Sequence, residues 1–124
     1  MKVARMDAHG GWIASPIDLL RIVVRTDGFA AKPDILQSST ITTMFTGSSA
    51  NPGYGKGWIV NGGYKGHNGS LPGTIGFLVR RNDDYCFIVL ANARPDNDFH
   101  CLELKGVLDE IVNGVKNWPV YDLF

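Results

Sequence analysis

The sequence predicts an α+β fold in which two N-terminal helices precede an antiparallel sheet of three or four strands and a long C-terminal helix. Three observations indicate this order. Apolar residues recur at helical spacing within residues 1–50, strand-like runs occupy residues 54–92, and helical spacing returns over residues 97–117. Short turns join the strand-like runs, so successive strands must be antiparallel.

The first helix is predicted to begin after Ser15. This residue can cap the helix, and the proline that follows suits the first helical position. Asp18, three residues after the cap, completes the pattern of a helix start. The pair Asp27-Gly28 is expected to end the helix, because glycine readily takes the left-handed conformation.

A second, shorter helix is predicted from Ser39, where Ile41, Met44 and Phe45 share one face. Residues 47–55 are rich in glycine, serine and proline, which is typical of a surface loop.

Four strand-like segments follow, namely residues 58–60, 64–68, 74–81 and 85–92. The dipeptide Asn61-Gly62 is a strong hairpin signal between the first two segments. The last segment is apolar on both faces, which favours a central strand covered on both sides.

A long amphipathic helix is predicted over residues 97–117, because apolar side chains recur there at helical spacing. They are Leu104, Val107, Leu108, Ile111 and Val115.

Charge and composition exclude several classes of partner. Twelve basic and twelve acidic side chains cancel, which argues against nucleic acid and against an anionic membrane as partners. The chain has no apolar run of transmembrane length and no apolar N-terminal signal, so either it is cytoplasmic or a longer parent carries the signal. His9, His67 and His100 lack metal-ligand spacing, and neither a metal nor a cofactor is expected.

Four segments of the sequence together resemble a known family. Residues 67–74 read His-Asn-Gly-Ser-Leu-Pro-Gly-Thr, and the other three read Gly-Gly-Trp-Ile-Ala-Ser-Pro-Ile-Asp-Leu-Leu (10–20), Gly-Tyr-Gly-Lys-Gly-Trp (53–58) and Leu-Ala-Asn-Ala-Arg-Pro (90–95). Taken in their order along the chain, they resemble the C-terminal portion of the serine β-lactamase, penicillin-binding protein and esterase superfamily. His-Asn-Gly is similar to its third active-site motif, in which a lysine or histidine, a small polar residue and a glycine lie on an edge strand beside the nucleophile.

The resemblance implies a role for each residue of this motif. His67 would polarise the surroundings of the nucleophile or contact a substrate carboxylate, and Asn68 would donate a hydrogen bond to the substrate. Gly69 would let the substrate approach closely, and the backbone N–H of Ser70 would be one oxyanion donor. Histidine in place of lysine favours esterase or peptidase relatives over penicillin-recognising enzymes. The alternative is that His67 is a surface histidine beside a glycine turn.

The nucleophile motif Ser-x-x-Lys does not occur in the sequence. Residues 49–51, Ser-Ala-Asn, match the second motif formally, but the family places that motif before the Gly-Gly-Trp segment, and the match is interpreted as coincidence. Residues 1–124 therefore suggest one partial domain, a C-terminal hydrolase fragment that is inactive alone. An ester, amide or β-lactam-like substrate is expected only if a missing half completes the site.

Two other interpretations remain open. The family has further strands beside the segment that is here residues 86–91, and without them an apolar strand edge would be bare. The chain could therefore be a binding or assembly module that forms a homo-oligomer or pairs with a complementary chain. It could also be an unrelated small α+β domain with an accidental glycine motif.

Overall fold

The computed structural model describes residue 2, residues 5–93 and residues 101–121. Three helices and a four-stranded antiparallel sheet follow the predicted order, which confirms the α+β fold class. The helices are α1 (Pro16–Val23), α2 (Ser38–Met44) and α3 (Cys101–Gly114). The strands are β1 (Ile59–Val60), β2 (Tyr64–Leu71), β3 (Thr74–Arg81) and β4 (Cys86–Ala91).

Helix α1 begins as predicted and ends early. The Ser15 hydroxyl accepts a hydrogen bond from the backbone N–H of Asp18 at 3.2 Å, and the Asp18 carboxylate accepts one from the backbone N–H of Ser15 at 3.3 Å, forming a capping box. The predicted end at Asp27-Gly28 is wrong, since the helix stops at Val23. The hydroxyl of Thr26 donates to the carbonyl of Ile22 at 2.9 Å, so a side chain satisfies a carbonyl there.

The longest pairing in the sheet joins β2 to β3, and all eight residues of each strand are in register. Strand β2 extends to Leu71, three residues beyond its predicted end. The hairpin predicted between β1 and β2 is present, but its turn is centred on Gly62 and Gly63, because Asn61 already bonds to Tyr64 across it, with N to O at 3.0 Å. The side chain of Asn61 then accepts from the N–H of Gly63 at 3.1 Å.

Strand β4 lies at one edge of the sheet formed by the described residues, so the prediction of a central strand there is wrong. Its faces are nevertheless packed. Phe87 belongs to the core on one face, and α1 contacts the strand as well. The apolar pattern reports that both faces are covered, and it carries no information about whether another strand lies alongside.

The core lies between the sheet and α3. Its buried side chains project from one face of the sheet, and they are Tyr64, Ile75, Phe77, Val79 and Phe87. Leu108 and Val112 of α3 pack against them. The predicted apolar residues Val107 and Ile111 are 51% and 58% exposed, so α3 carries a second apolar side outside this core. The helix ends at Gly114 rather than at residue 117, and residues 97–100 of the prediction lie outside the described residues.

The segment after α1 is fastened to the opposite face of the sheet by Arg80. Its Nε donates to the carbonyl of the buried Asp27 at 2.9 Å, and its guanidinium carbon lies 3.8 Å from the ring centre of Phe29. Burial lowers the pKa of Arg80, which still stays protonated. Burial also raises the pKa of the neighbouring Cys86 thiol to about 12, so this thiol remains neutral and donates to the Asp27 carboxylate at 3.6 Å.

Replacing Arg80 by methionine is expected to lower the free energy of unfolding by about 1–3 kcal/mol, since hydrogen bonds and a cation–π contact are lost while the aliphatic stem is kept. Urea denaturation followed by circular dichroism measures this change. Arg21→Met is the matched control, because Arg21 is exposed and its ion pair with Asp18 lies at the surface. Equal stabilities for the two variants would contradict the role assigned to Arg80.

Candidate functional site

The predicted motif occupies the second half of β2. Strand β1 is two residues long and pairs only with Lys65 and Gly66. From His67 to Leu71, β2 is therefore bordered by β3 on one side and by no strand of the described residues on the other. The side of residues 67–71 that faces away from β3 is here called the open side. It has the edge position that the family resemblance implies.

The hydrogen-bond pattern of β2 sets which peptide groups point to the open side. The N–H of Asn82 donates to the carbonyl of Gly63 at 3.2 Å, in the register that joins β2 to β3. Because bonding directions alternate along an antiparallel pair, residues 65, 67, 69 and 71 bond to β3. The N–H groups of Asn68 and Ser70 point to the open side, where a ligand oxygen can accept from them.

Strand alternation separates the motif side chains into two sets. His67 and Gly69 lie on one face of the sheet, and Asn68 and Ser70 lie on the other. Gly69 opposes Gly76 of β3, whose backbone is covered by the Leu90 side chain, since a Cβ at Gly76 would lie 2.8 Å from Leu90 Cδ2. A Cβ at Gly69 would meet no atom within 4 Å. The structure thus brings together His67, Gly69 and the N–H of Ser70, and it directs the Asn68 side chain to the other face.

Both ring nitrogens of His67 have a hydrogen-bond partner. Nδ1 lies 2.8 Å from the backbone carbonyl oxygen of Asn68, and Nε2 lies 2.8 Å from the hydroxyl oxygen of Tyr54. A carbonyl only accepts, so Nδ1 carries the proton in the neutral ring. Nε2 then has the free electron pair and accepts from the Tyr54 hydroxyl.

Tyr54 was missed by the sequence reasoning. The signal that could have found it is the Gly-Tyr-Gly-Lys-Gly-Trp segment, in which no role was assigned to the tyrosine. Its ring meets the His67 ring edge to face, with centres 5.8 Å apart. The backbone of Tyr54 bridges to Ile59 of β1, which fixes it on the open side of β2.

The loop that carries Tyr54 is held against the end of α2. The N–H of Gly55 donates to the carbonyl of Trp58 at 2.7 Å, and the N–H of Lys56 donates to the carbonyl of Met44 at 2.9 Å. A Cβ at Gly55 would lie 2.3 Å from that same carbonyl oxygen. Glycine is required at this position because the backbone of α2 approaches so closely.

A cationic side chain, Lys65, lies two residues before His67 on the same face of the sheet. The Nζ of Lys65 donates to the carbonyl of Asn61 at 3.1 Å, which holds it at the hairpin. Burial, followed by the charge of Arg80, lowers the pKa of Lys65 from its usual value.

A shallow cavity of about 340 Å³ lies near the opposite end of β2, away from the motif. It is lined by Asn61, Gly63, Tyr64, Arg81, Lys105, Asp109 and Asn113. Its cations already have anionic partners: Arg81 pairs with Asp83 at 2.5 Å and with Asp109 at 3.2 Å, and Lys105 also pairs with Asp109. The cavity contains no residue of the predicted motif, and it supports no catalytic role.

The chain matches the Beta-lactamase family model over residues 1–110, and it therefore belongs to the Beta-lactamase family. The family predicted from the sequence is thus confirmed. Neither a curated protein nor a solved structure gave a significant match.

Two further features bear on the site. In residues 5–93 and 101–121, no helix is both long enough and apolar enough to cross a bilayer. Within the same residues, no three side chains of histidine, cysteine, aspartate or glutamate are grouped so that they could hold a metal ion.

Gly55→Ala is expected to lower the free energy of unfolding by about 1–3 kcal/mol, because the new methyl group overlaps the carbonyl of Met44. Gly62→Ala is the matched control: a Cβ there meets no atom within 4 Å, and its effect should stay within about 0.5 kcal/mol. Chemical denaturation of both variants measures the difference. A Gly55 variant as stable as the control would show that the loop carrying Tyr54 is not held as described.

Proposed function

We propose that this chain is the C-terminal part of a β-lactamase-related serine hydrolase, which supplies one wall of the active site but not the serine nucleophile. The observation that carries the proposal is the outward N–H of Ser70 on the open side of β2, beside His67. A hydrolase of this kind needs donors that face the position of the carbonyl oxygen, and this N–H has the required direction. No Ser-x-x-Lys sequence occurs in the 124 residues.

In this proposal the substrate is an ester, an amide or a β-lactam-like ring, and it is bound only when a complementary half completes the site. Ser70 donates its N–H to the carbonyl oxygen as negative charge develops there. Gly69 leaves space for the substrate to approach, and His67 polarises the region around the incoming nucleophile or contacts a substrate carboxylate. The direction of the Asn68 side chain favours a role on the other face of the sheet.

The size of these contributions explains why the chain should be inactive alone. One oxyanion donor typically contributes about 10²–10³ in rate. Enzymes of this general type accelerate their reactions by about 10⁶ or more, and covalent catalysis by an activated hydroxyl supplies much of the difference. Without the serine of Ser-x-x-Lys, whose ester is formed and hydrolysed in each cycle, the wall alone falls several orders of magnitude short.

The purified chain is therefore expected to show no multiple turnover of a chromogenic β-lactam or of a nitrophenyl ester above the rate in buffer. Absorbance assays with His67→Ala in parallel measure this, and the steady-state rates of the two proteins should be equal, because a single acylation of the chain is not turnover. Multiple turnover at enzyme-like rates that a serine-directed inhibitor abolishes would refute the proposal.

The reading frame upstream of Met1 provides a separate test. If it encodes Ser-x-x-Lys followed by Tyr-x-Asn, the product of that segment should restore hydrolysis when it is co-expressed with this chain. Restored activity that is unchanged by Ser70→Pro, which removes the outward N–H, would contradict the role given to this peptide group.

A second candidate function, a module that assembles through its sheet edge, is favoured by the geometry of β4. The N–H of Arg81 donates to the carbonyl of Tyr85 at 2.8 Å, and by alternation the peptide groups of Cys86, Ile88 and Leu90 point away from β3. Strand β4 contains no charged side chain, and Leu90 is 43% exposed. Such an edge accepts another strand, either from a second copy or from a complementary chain.

Exposed apolar residues on the helices support the same candidate. Ile22 of α1 is 61% exposed, and Val107 and Ile111 of α3 are more than half exposed. A partner that pairs with β4 would also cover apolar helix surface.

Ile88→Pro is expected to convert an edge-paired dimer into a monomer, because it removes an N–H that points outward and leaves the bonds between β3 and β4 intact. Ile88→Thr keeps this N–H and a β-branched side chain, so it should still associate. Light scattering at high concentration measures the oligomeric state, and circular dichroism checks that both variants are folded. A wild-type chain that stays monomeric would count against assembly through this edge with a second copy.

A further inference from the structure

We propose that Tyr54, rather than His67 itself, is the group that this site presents to a reacting carbonyl, and that the imidazole of His67 is the proton acceptor behind it. The proposal rests on the function proposed above for the location of the site. It adds a substrate-contacting residue that the motif does not contain.

No ring nitrogen of His67 remains free. Nδ1 donates to the carbonyl of Asn68 and Nε2 accepts from Tyr54, each at 2.8 Å. A substrate that contacted the imidazole directly would have to displace one of these partners. The Asn68 carbonyl belongs to the same strand and cannot move away without disturbing the pairing of β2 with β3.

The hydroxyl of Tyr54 has its proton engaged by Nε2, but its oxygen keeps electron pairs that no hydrogen bond among the described residues uses. The side chain is 39% exposed, and its backbone is held by the bridge to Ile59. The phenolic oxygen therefore has an electron pair available to an incoming carbonyl, whereas the imidazole of His67 does not.

The pair of Tyr54 and His67 allows acyl transfer to the phenolic oxygen. The oxygen of Tyr54 attacks the carbonyl carbon of an activated acyl compound, while its proton passes to Nε2 of His67. The resulting imidazolium keeps both N–H groups hydrogen-bonded, to the Asn68 carbonyl and to the phenolic oxygen. When the bond to the leaving group breaks, the leaving group takes the proton from Nε2, the imidazole returns to neutral, and the acyl group stays on the tyrosine oxygen.

Tyr85 provides a comparison within the same molecule. It is 37% exposed, which nearly equals the exposure of Tyr54, and its ring lies against Trp118 with centres 5.4 Å apart rather than against a histidine. Exposure alone therefore predicts similar reactivity for the two hydroxyls. A rate of acylation at Tyr54 well above that at Tyr85 is therefore due to the hydrogen bond between Tyr54 and His67.

The test is acetylation of the full chain by N-acetylimidazole, with the initial rate at each tyrosine measured by peptide mass spectrometry. Tyr54 should react at least about tenfold faster than Tyr85, a modest share of what general-base assistance can supply. His67→Phe should remove the excess. His67→Gln can still accept the hydrogen bond but cannot take the proton at neutral pH, so it should remove the excess too.

Three outcomes would overturn the proposal: equal rates at Tyr54 and Tyr85 in the wild type, an excess that survives in His67→Phe, or a full excess in His67→Gln, which would leave His67 a positioning role only. Nitrogen-15 NMR of the His67 ring at mildly alkaline pH is an independent measurement. It should show the tautomer protonated on Nδ1, and the tautomer protonated on Nε2 would refute the arrangement. None of these measurements requires hydrolysis. A failure of this proposal can therefore be distinguished from a failure of the proposed function.

Discussion

The pairing of β2 with β3 is the constraint on which the rest of the molecule depends. A strand alternates its side chains, so the register that buries Tyr64 and Phe77 under α3 also fixes His67 on the opposite face. A slip by one residue would exchange the faces and expose the core. The rings of Tyr64 and Phe77 meet edge to face with centres 6.3 Å apart, which opposes such a slip. Packing of the core on one face of the sheet therefore fixes the position of His67 on the other face.

The candidate site is open because β1 does not extend alongside residues 67–71 of β2. Strand β1 begins only at Ile59, and the chain before it runs through a loop that only glycine at position 55 allows against the end of α2. The same loop returns Tyr54 to the histidine. On the helical side, Arg80 holds the segment after α1 to the sheet through Asp27. An open strand side with fixed donors thus results from backbone contacts that lie outside the motif.

Local signals predicted much of the fold. The cap at Ser15 and both ends of β3 were readable because they depend on residues close in sequence. The edge position of β4 was not, since a continuously apolar run reports covered faces and not lateral neighbours. For the candidate site, the motif indicated His67 through its resemblance to a family. The partner of this histidine is 13 residues away across a loop, and no periodicity connects the two.

Among the described residues, the open side of β2 and the outer side of β4 have no neighbouring strand, and they are close in space. Adjacent strands are about 4.8 Å apart, so a strand added beside β4 would lie roughly 14 Å from β2. An extended polypeptide covers that span in about five residues. A strand beside β4 would therefore lie close enough to β2 for one bound polypeptide to contact both borders, provided that it passes around the segment after α1 that Arg80 fastens to the intervening face.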